Sequence, residues 1–536
     1  MKALGYVVIL FLSFAVPVRA AQVYSGCAAP PATFRHVWYF DPVHGKTLAA
    51  GGNGSQASPW NNLQALVQAE AGYSFPLLTT APYRQVPVPG QPAVVATGPK
   101  AGPIASGDEI LLMSGNYGDV SISAVYAEMS NSAFVTIAPA PGQTPVLTSL
   151  FIGETSKWVI DGLKVQSLQP AARSGNALVQ IKDAGATLPT SDIVLENMTI
   201  SSQDNAEAWS QAQWVADARN GFGAQSTPPG TNTKCVSLTG SHISNVRTGA
   251  GLYAAQLLFA NNQIDHFGDD GIDYAASNLA ITRNDIHDNL DVGDGNHEDA
   301  MQGVIGILPA GATVNHLQNI LIDSNLVIRQ TDPELSFPTY LQGIDAFDSD
   351  WTNMTVTNNV VVTSSCYAIA LASLHNSLIA NNTGLQDGLV ATPGCSASIG
   401  GGGATHEGPP STNVRFANNL ADHYTIGGLS DVNVTYDHNV ALDVNSSQSF
   451  THVAGGKWVL GEPAGTDANG NVTVAPSKPY ASQFQDWNSA ALSFNVMLKL
   501  GSVAIGAGTA TGAPTVDILG VARAAPYAVG AYSYPR

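Results

Sequence analysis

The stretch "FANNQID" at residues 259–265, followed at 281–287 by "ITRNDIH", sets the reading of this chain. Each copy carries apolar residues, a polar pair ending in Asn, and a return to apolar character. The same content recurs as "LIDSNLVI" (321–328), "VTNNVVV" (356–362), "IANNTG" (379–384) and "FANNLAD" (416–422), with "LENMTI" (195–200) as a divergent copy. Asn262, Asn284, Asn325, Asn359, Asn382 and Asn419 mark the copies at intervals of 22, 41, 34, 23 and 37 residues. An interval near 22 matches one coil of a parallel β-helix, in which three short strands and their turns stack apolar side chains inward. The longer intervals are coils with loops inserted. Asn suits the repeated turn because it tolerates left-handed backbone and can hydrogen-bond to its counterparts above and below.

Composition agrees with an all-β solenoid. The chain has 53 Gly, only 11% charged residues and few long segments with helical periodicity, a profile of many short strands joined by turns. Its net charge of −19 reflects scarce base, with 21 Lys and Arg in 536 residues. Nucleic acid and anionic membrane surfaces need clustered cations and are poor partners for it. A neutral polymer, or an anionic one bridged by a divalent cation, fits better. The N-terminus has a basic start at Lys2, the apolar run "LGYVVILFLSFAVPV" and small residues up to Ala20. That pattern predicts a signal peptide over 1–20 and a secreted or periplasmic protein without a membrane anchor. Cys27, Cys235, Cys366 and Cys395 are too few and too dispersed for a zinc ribbon or a disulfide scaffold. One or two disulfides are expected, with Cys366 and Cys395 the local pair.

Three further stretches carry a resemblance. "VWYFDPVHGKTLAAGGNGSQASPWNNLQAL" (37–66), "SGDEILLMSGNYGDV" (106–120) and the ending "VDILGVARAAPYAVGAYSY" (516–534) resemble the opening, first coil and closing segment of secreted right-handed β-helix proteins of the pectate-lyase-like superfamily. The resemblance implies a right-handed helix with loop insertions and capped ends. It also implies a polysaccharide partner, in a superfamily that holds lyases, hydrolases, uronate epimerases and tailspikes. The expected organisation is a cap over 21–105, the β-helix with its site over 106–445, and terminal coils with a closing segment over 446–536. A monomer is expected.

Aligning the coils places "DDGID" (269–273), "HEDAMQ" (297–302) and "LQGIDAF" (341–347) in one register, with Ile272, Met301 and Ile344 facing the core. Strand alternation then sends Asp273, Gln302 and Asp345 outward as one row, and sets Asp270, Asp299 and Gln342 at the strand entrance as a second. Polar ladders on a solvent face are ordinary. Adjacent unpaired carboxylates repel, however, and no Lys lies between 235 and 456 to offset them, so the density of acid points to a site. His297 gains weight from its place in H-x-D-x-x-Q, a pattern that resembles one found on this face in many bacterial β-helix proteins.

Two chemistries suit such a row. In β-elimination from a uronic-acid glycan, or the related C5 epimerisation, His297 is the base, Asp269, Asp270 and Asp299 are candidate ligands for Ca2+, and Arg247 is the one basic group near enough to help. In hydrolysis, one of Asp270, Asp273, Asp299 and Asp345 protonates the glycosidic oxygen while another activates water, the Asp273 to Asp345 separation suiting inversion. A non-catalytic glycan-binding protein is the third reading. Sequence alone puts the lyase or epimerase first. Gln302, Gln342, Arg247, Trp209 and Trp214 are the candidate substrate contacts, the tryptophans lying in the amphipathic insertion "NAEAWSQAQWVADARNGF" (205–222), where covering the helix flank is the competing role.

Overall fold

The computed structural model describes residues 22–534, apart from 80–101, 124–128, 168–175, 184–188, 227–231, 307–311, 390–395, 402–408, 426–429, 443–449, 455–456, 461–464, 467–468, 474–479 and the single residues 69, 74 and 313. Residues 1–20, expected from the sequence to be a signal peptide, and Cys395 lie outside the described residues.

Short β-rich segments alternate with turns, and each coil contributes one strand to each of three sheets of 13, 13 and 14 strands. Ala255–Ala260, Gln263–Phe267 and Ile272–Tyr274 make one coil, after which Leu279–Thr282 returns beneath the first strand, with Leu279 beside Leu257. The pairing is parallel, save for an antiparallel strand at the C-terminal end of two of the sheets. The fold is therefore the expected all-β parallel helix. Stacked positions such as Leu257, Leu279, Ile320 and Met354 pair coil upon coil and are all buried. This repeated removal of apolar surface from water, worth about 25 cal/mol per Å², is the main force holding the coils together.

The repeated asparagines form a buried ladder. The side-chain oxygen of Asn284 accepts from the backbone N of Asn262 at 3.0 Å and from its side-chain amide at 3.2 Å, while Asn284 Nδ2 donates to the carbonyl of Phe259. Asn325, Asn359, Asn382 and Asn419 repeat the pattern, and Asn439 and Asn471 extend it beyond the copies picked out by sequence. The left-handed residue of each turn is the one before the ladder asparagine, as in Asn261, Arg283, Ser324, Asn358, Asn381 and Asn418. The ladder position thus needs the amide for hydrogen bonding and not for its backbone tolerance.

The closing segment lies along the side of the helix. Val529, Ala531, Ile518 and Ala504 pack with Phe484, Val496 and Leu498 over Val360, Val362, Leu385, Leu420 and Val440, covering the outer face of the 14-stranded sheet. Asp517 holds its turn by accepting from the backbone N of Leu519 and Val521 and from Ser533. At the other end a disulfide joins Cys27 to Cys235, tying the N-terminal segment to the strand Thr233–Thr239. Cys366 is also disulfide-bonded.

Candidate active site

Five strands of one 13-stranded sheet build the site: β1 (Ala250–Tyr253), β2 (Ile272–Tyr274), β3 (Asp299–Gly303), β4 (Gln342–Ala346) and β5 (Tyr367–Leu371). Ile272 pairs with Met301 and Met301 with Ile344, all fully buried, so the apolar residues lock the register. Gly251, Asp273, Gln302, Asp345 and Ala370 then form one column. Asp299 sits beside Gln342, and its backbone N donates to Asp270 Oδ1 at 2.8 Å, which gives the second row. The glycine inside "DDGID" is a packing requirement: a Cβ on Gly271 would lie 2.6 Å from the carbonyl of Ala300 in the next coil.

Both rows come together, but they are more enclosed than strand alternation implies. Asp299 and Asp345 are 0% and 2% exposed and Asp270 is 6% exposed, while Asp273, Gln302 and Gln342 are half-buried. Loops cover the strand entrances. Thr339 Oγ1 donates to Glu298 at 2.7 Å, Asp291 N donates to the carbonyl of Phe337, and the backbone of Gln342 donates to Glu298. These contacts clip the 329–341 loop to the segment that carries His297.

Within this enclosure the carboxyls pair with one another. Asp270 hydrogen-bonds Asp273, which also accepts from the Tyr253 hydroxyl, and Asp345 hydrogen-bonds Asp299. Burial raises Asp270 well above the carboxylate range, with repulsion from Asp273, Asp299 and Asp269 adding to it. Asp345 is raised well above that range for the same reasons, burial first and Asp299 second. Asp273 is pushed by burial up to about 6, the hydrogen bonds from Asp270 and Tyr253 holding it back. One oxygen each of Asp273, Asp299 and Asp345 is buried without a hydrogen-bond partner.

His297 joins the cluster from the solvent side. Its Nδ1 lies 2.9 Å from Asp299 Oδ2, which fixes the Nδ1–H tautomer and turns Nε2 away from that carboxylate. The hydrogen bond to Asp299 raises the imidazole above its usual value, and its side chain is 62% exposed. The site therefore presents two groups outward, Asp273 and His297, each backed by a buried carboxyl.

The remaining candidates stand apart from this centre. Asp269 faces Arg247 Nε at 3.2 Å, accepts from Thr248 and Asn296, and is not turned to Asp299. Among the described residues no three His, Cys, Asp or Glu side chains are grouped so as to hold a metal ion. Arg247 is also 3.6 Å from Asp294, so its charge is shared between two carboxylates. Trp214, in the helix α1 (Gln211–Asp217), is 2% exposed in a small core with Ala206, Ala218, Leu290, Val292 and Leu335. Trp209 packs edge-on against it at 5.2 Å. These rings cover the flank, and the buried face of Trp214 leaves no surface for a sugar.

Tyr253 and Glu298 belong to the site and were not singled out by sequence. Tyr253 lay within reach of the register argument, since β1 is the coil preceding "DDGID" and Gly251 aligns with Asp273. Glu298 alternates away from the carboxylate row and is recognisable only through its contact with Thr339.

Residues 149–384 match the family model described as a right handed beta helix region. The chain has the fold of a right-handed parallel β-helix. No curated protein matches it. Among solved structures, this β-helix is similar to a pectate lyase, Pel9A, at 13% identity and TM-score 0.40, over 95% of this chain and 98% of that one. It is similar to XylC, solved with xylose, at 8% identity and TM-score 0.44, over 93% and 98% of the two chains. It is also similar to PfbA, a surface adhesin of Streptococcus pneumoniae, at 10% identity and TM-score 0.37, over 67% and 87%.

Proposed function

We propose that this β-helix protein hydrolyses a glycosidic bond of an extracellular neutral glycan, using His297 as proton donor and Asp273 as base. One observation carries the reading: the two titratable groups that reach outward from the carboxyl cluster have complementary poise. Asp273, at about 6, is a carboxylate at neutral pH, while His297 is held protonated to higher pH by Asp299. The imidazolium gives its Nε2 proton to the glycosidic oxygen as the bond to the anomeric carbon breaks, the electron pair leaving with that oxygen. Asp273 takes a proton from the water whose oxygen bonds to the anomeric carbon. Asp270 and Asp345 keep their protons and act as donors to Asp273 and Asp299, and Gln302 and Gln342 flank the row as amide contacts for sugar hydroxyls.

A neutral substrate follows from the electrostatics. The strongest charged neighbours of Asp270, Asp273 and Asp345 are other aspartates, and Arg247 is engaged by Asp269 and Asp294. A uronate carboxylate brought to this cluster meets like charge, and the His297 imidazolium is already engaged by Asp299. Elimination from, or epimerisation of, a uronic-acid glycan is the second reading, favoured by the exposed imidazole of His297, which in its neutral form can take a C5 proton. Export is supported by the disulfide-bonded Cys27, Cys235 and Cys366, which suit an oxidising compartment. No helix among the described residues is long and apolar enough to cross a membrane.

The test is a screen of residues 21–536 against neutral and uronic-acid polysaccharides, following reducing ends and absorbance near 235 nm together. Reducing ends without absorbance on a neutral glycan support hydrolysis. Absorbance on a uronic glycan replaces it with elimination.

A further inference from the structure

Among the described residues, three aromatic side chains are more than a third exposed: Phe34 at 43%, Tyr340 at 54% and Tyr367 at 45%. Two of the three stand at the site. Tyr340 lies two residues before the first residue of β4, its carbonyl held by Thr363 Oγ1 at 3.0 Å, and Tyr367 is the first residue of β5. Tyr367 stands two residues before Ile369, which pairs with Ile344, and an irregularity in the register between Tyr367 and Ile369 sets it at the strand entrance.

The Tyr367 ring has a defined direction. Its centroid is 6.3 Å from that of Phe347 at an interplanar angle of 76°, an edge-to-face contact. Phe347 follows the last residue of β4, whereas Tyr367 opens β5, so the two rings meet by reaching toward each other along the strands. Ala370 pairs with Asp345 and is the next member of the catalytic column. A small side chain there leaves room for an aromatic ring one rung beyond the acid cluster, about 4.8 Å along the axis.

We propose that Tyr367, backed edge-on by Phe347, is a stacking platform for a pyranose ring of a neutral glycan bound along the helix axis next to the cleavage position. An exposed ring offers the apolar C–H face of a sugar a surface that water leaves readily, and it adds no charge to an already acidic site. This inference rests on the hydrolase reading for its substrate class, but binding and turnover can be measured separately.

The experiment uses the full chain with His297→Ala to block turnover, titrated by calorimetry with cello-, xylo-, manno- and galacto-hexasaccharides and with a galacturonate hexasaccharide. At least one neutral member is expected to bind. Adding Tyr367→Ala then weakens that member roughly tenfold, and Tyr367→Phe stays within about twofold because the ring face is kept. Unchanged binding in the Tyr367→Ala chain overturns the platform, as does binding by none of the neutral sugars or a preference for the galacturonate. A Tyr367-dependent affinity in a protein whose unmutated form releases no reducing ends from the bound sugar sinks hydrolysis and leaves the platform standing.

Discussion

Asp299 and Asp270 are joined twice across adjacent coils: the backbone N of Asp299 donates to Asp270 Oδ1 at 2.8 Å, and the carbonyl of Asp299 accepts from the N of Gly271, also at 2.8 Å. The first bond turns the Asp270 carboxyl toward Asp273, with which it shares a hydrogen bond. A ladder contact of the fold thus orients an acidic group, and Asp273 receives its proton affinity from burial while the hydrogen bond from that neighbour holds it back.

Replacing Asp270 by Ala removes the hydrogen bond that holds the Asp273 value down. With that donor gone the Asp273 value rises above about 6 and the acid limb of kcat/KM moves to higher pH. A pH–rate profile of the purified variant checks this, and an unmoved acid limb removes Asp273 from the role of base.

His297→Ala is expected to lower kcat by about 10² to 10⁴, the range for loss of a general acid, and to abolish the alkaline limb set by the raised imidazole. Asp299→Asn keeps a side-chain oxygen for His297 Nδ1–H but removes the charge that raises it. Its alkaline limb therefore shifts downward. Equal profiles in the Asp299→Asn and unmutated proteins exclude His297 as the titrating donor.

The buried carboxyls also give the fold a pH dependence of known sign. Asp270, Asp273 and Asp345 bind protons more tightly folded than unfolded. Their contribution to stability is complete below the ordinary carboxylate pKa near 4 and is lost as pH rises through the raised folded values. Asp345→Asn removes one such group, and at pH 8 it is expected to stabilise the protein by on the order of 1 to 3 kcal/mol, the cost of an unsatisfied buried polar group. Thermal melts from pH 4 to pH 8 read the difference. A variant less stable than the parent at pH 8 contradicts the raised Asp345.

Chelation is expected to leave turnover unchanged, because Asp269 is held by Arg247, Thr248 and Asn296 and no three ligand-type side chains among the described residues group to hold a metal ion. Activity of dialysed protein with EDTA, then with added Ca2+, is the measurement. Loss on chelation with recovery on Ca2+ restores the calcium reading.

In the core, Asn359 accepts from the N and side-chain amide of Asn325 and donates to the carbonyl of Ile322 at 2.9 Å, all in buried surroundings. Asn359→Leu strands those groups and is expected to cost about 1 to 3 kcal/mol for each buried group left unpaired. A surface change such as Asn353→Gly, in the exposed ladder with Asn319 and at a left-handed position that glycine adopts freely, is expected to stay within about 0.5 kcal/mol. Similar losses at the two sites, seen in denaturant melts, deny the inner ladder its special role.

The sequence by itself determined the parallel helix and the columns of the site. Stacked apolar residues and buried amides must repeat at each coil, so their spacing records the register, and Ile272, Met301 and Ile344 fix where Asp273, Gln302 and Asp345 fall. Tertiary structure decided what that row can do. The loop that joins Thr339 to Glu298 encloses Asp299 and Asp345, the two outward groups acquire their poise from buried partners, and Arg247 and Trp214 are taken up by Asp269 and by a local core. Periodicity reports which face a strand residue occupies. Burial, proton sharing and the allocation of a lone cation depend on loops of irregular length folding over that face, and those carry no period to read.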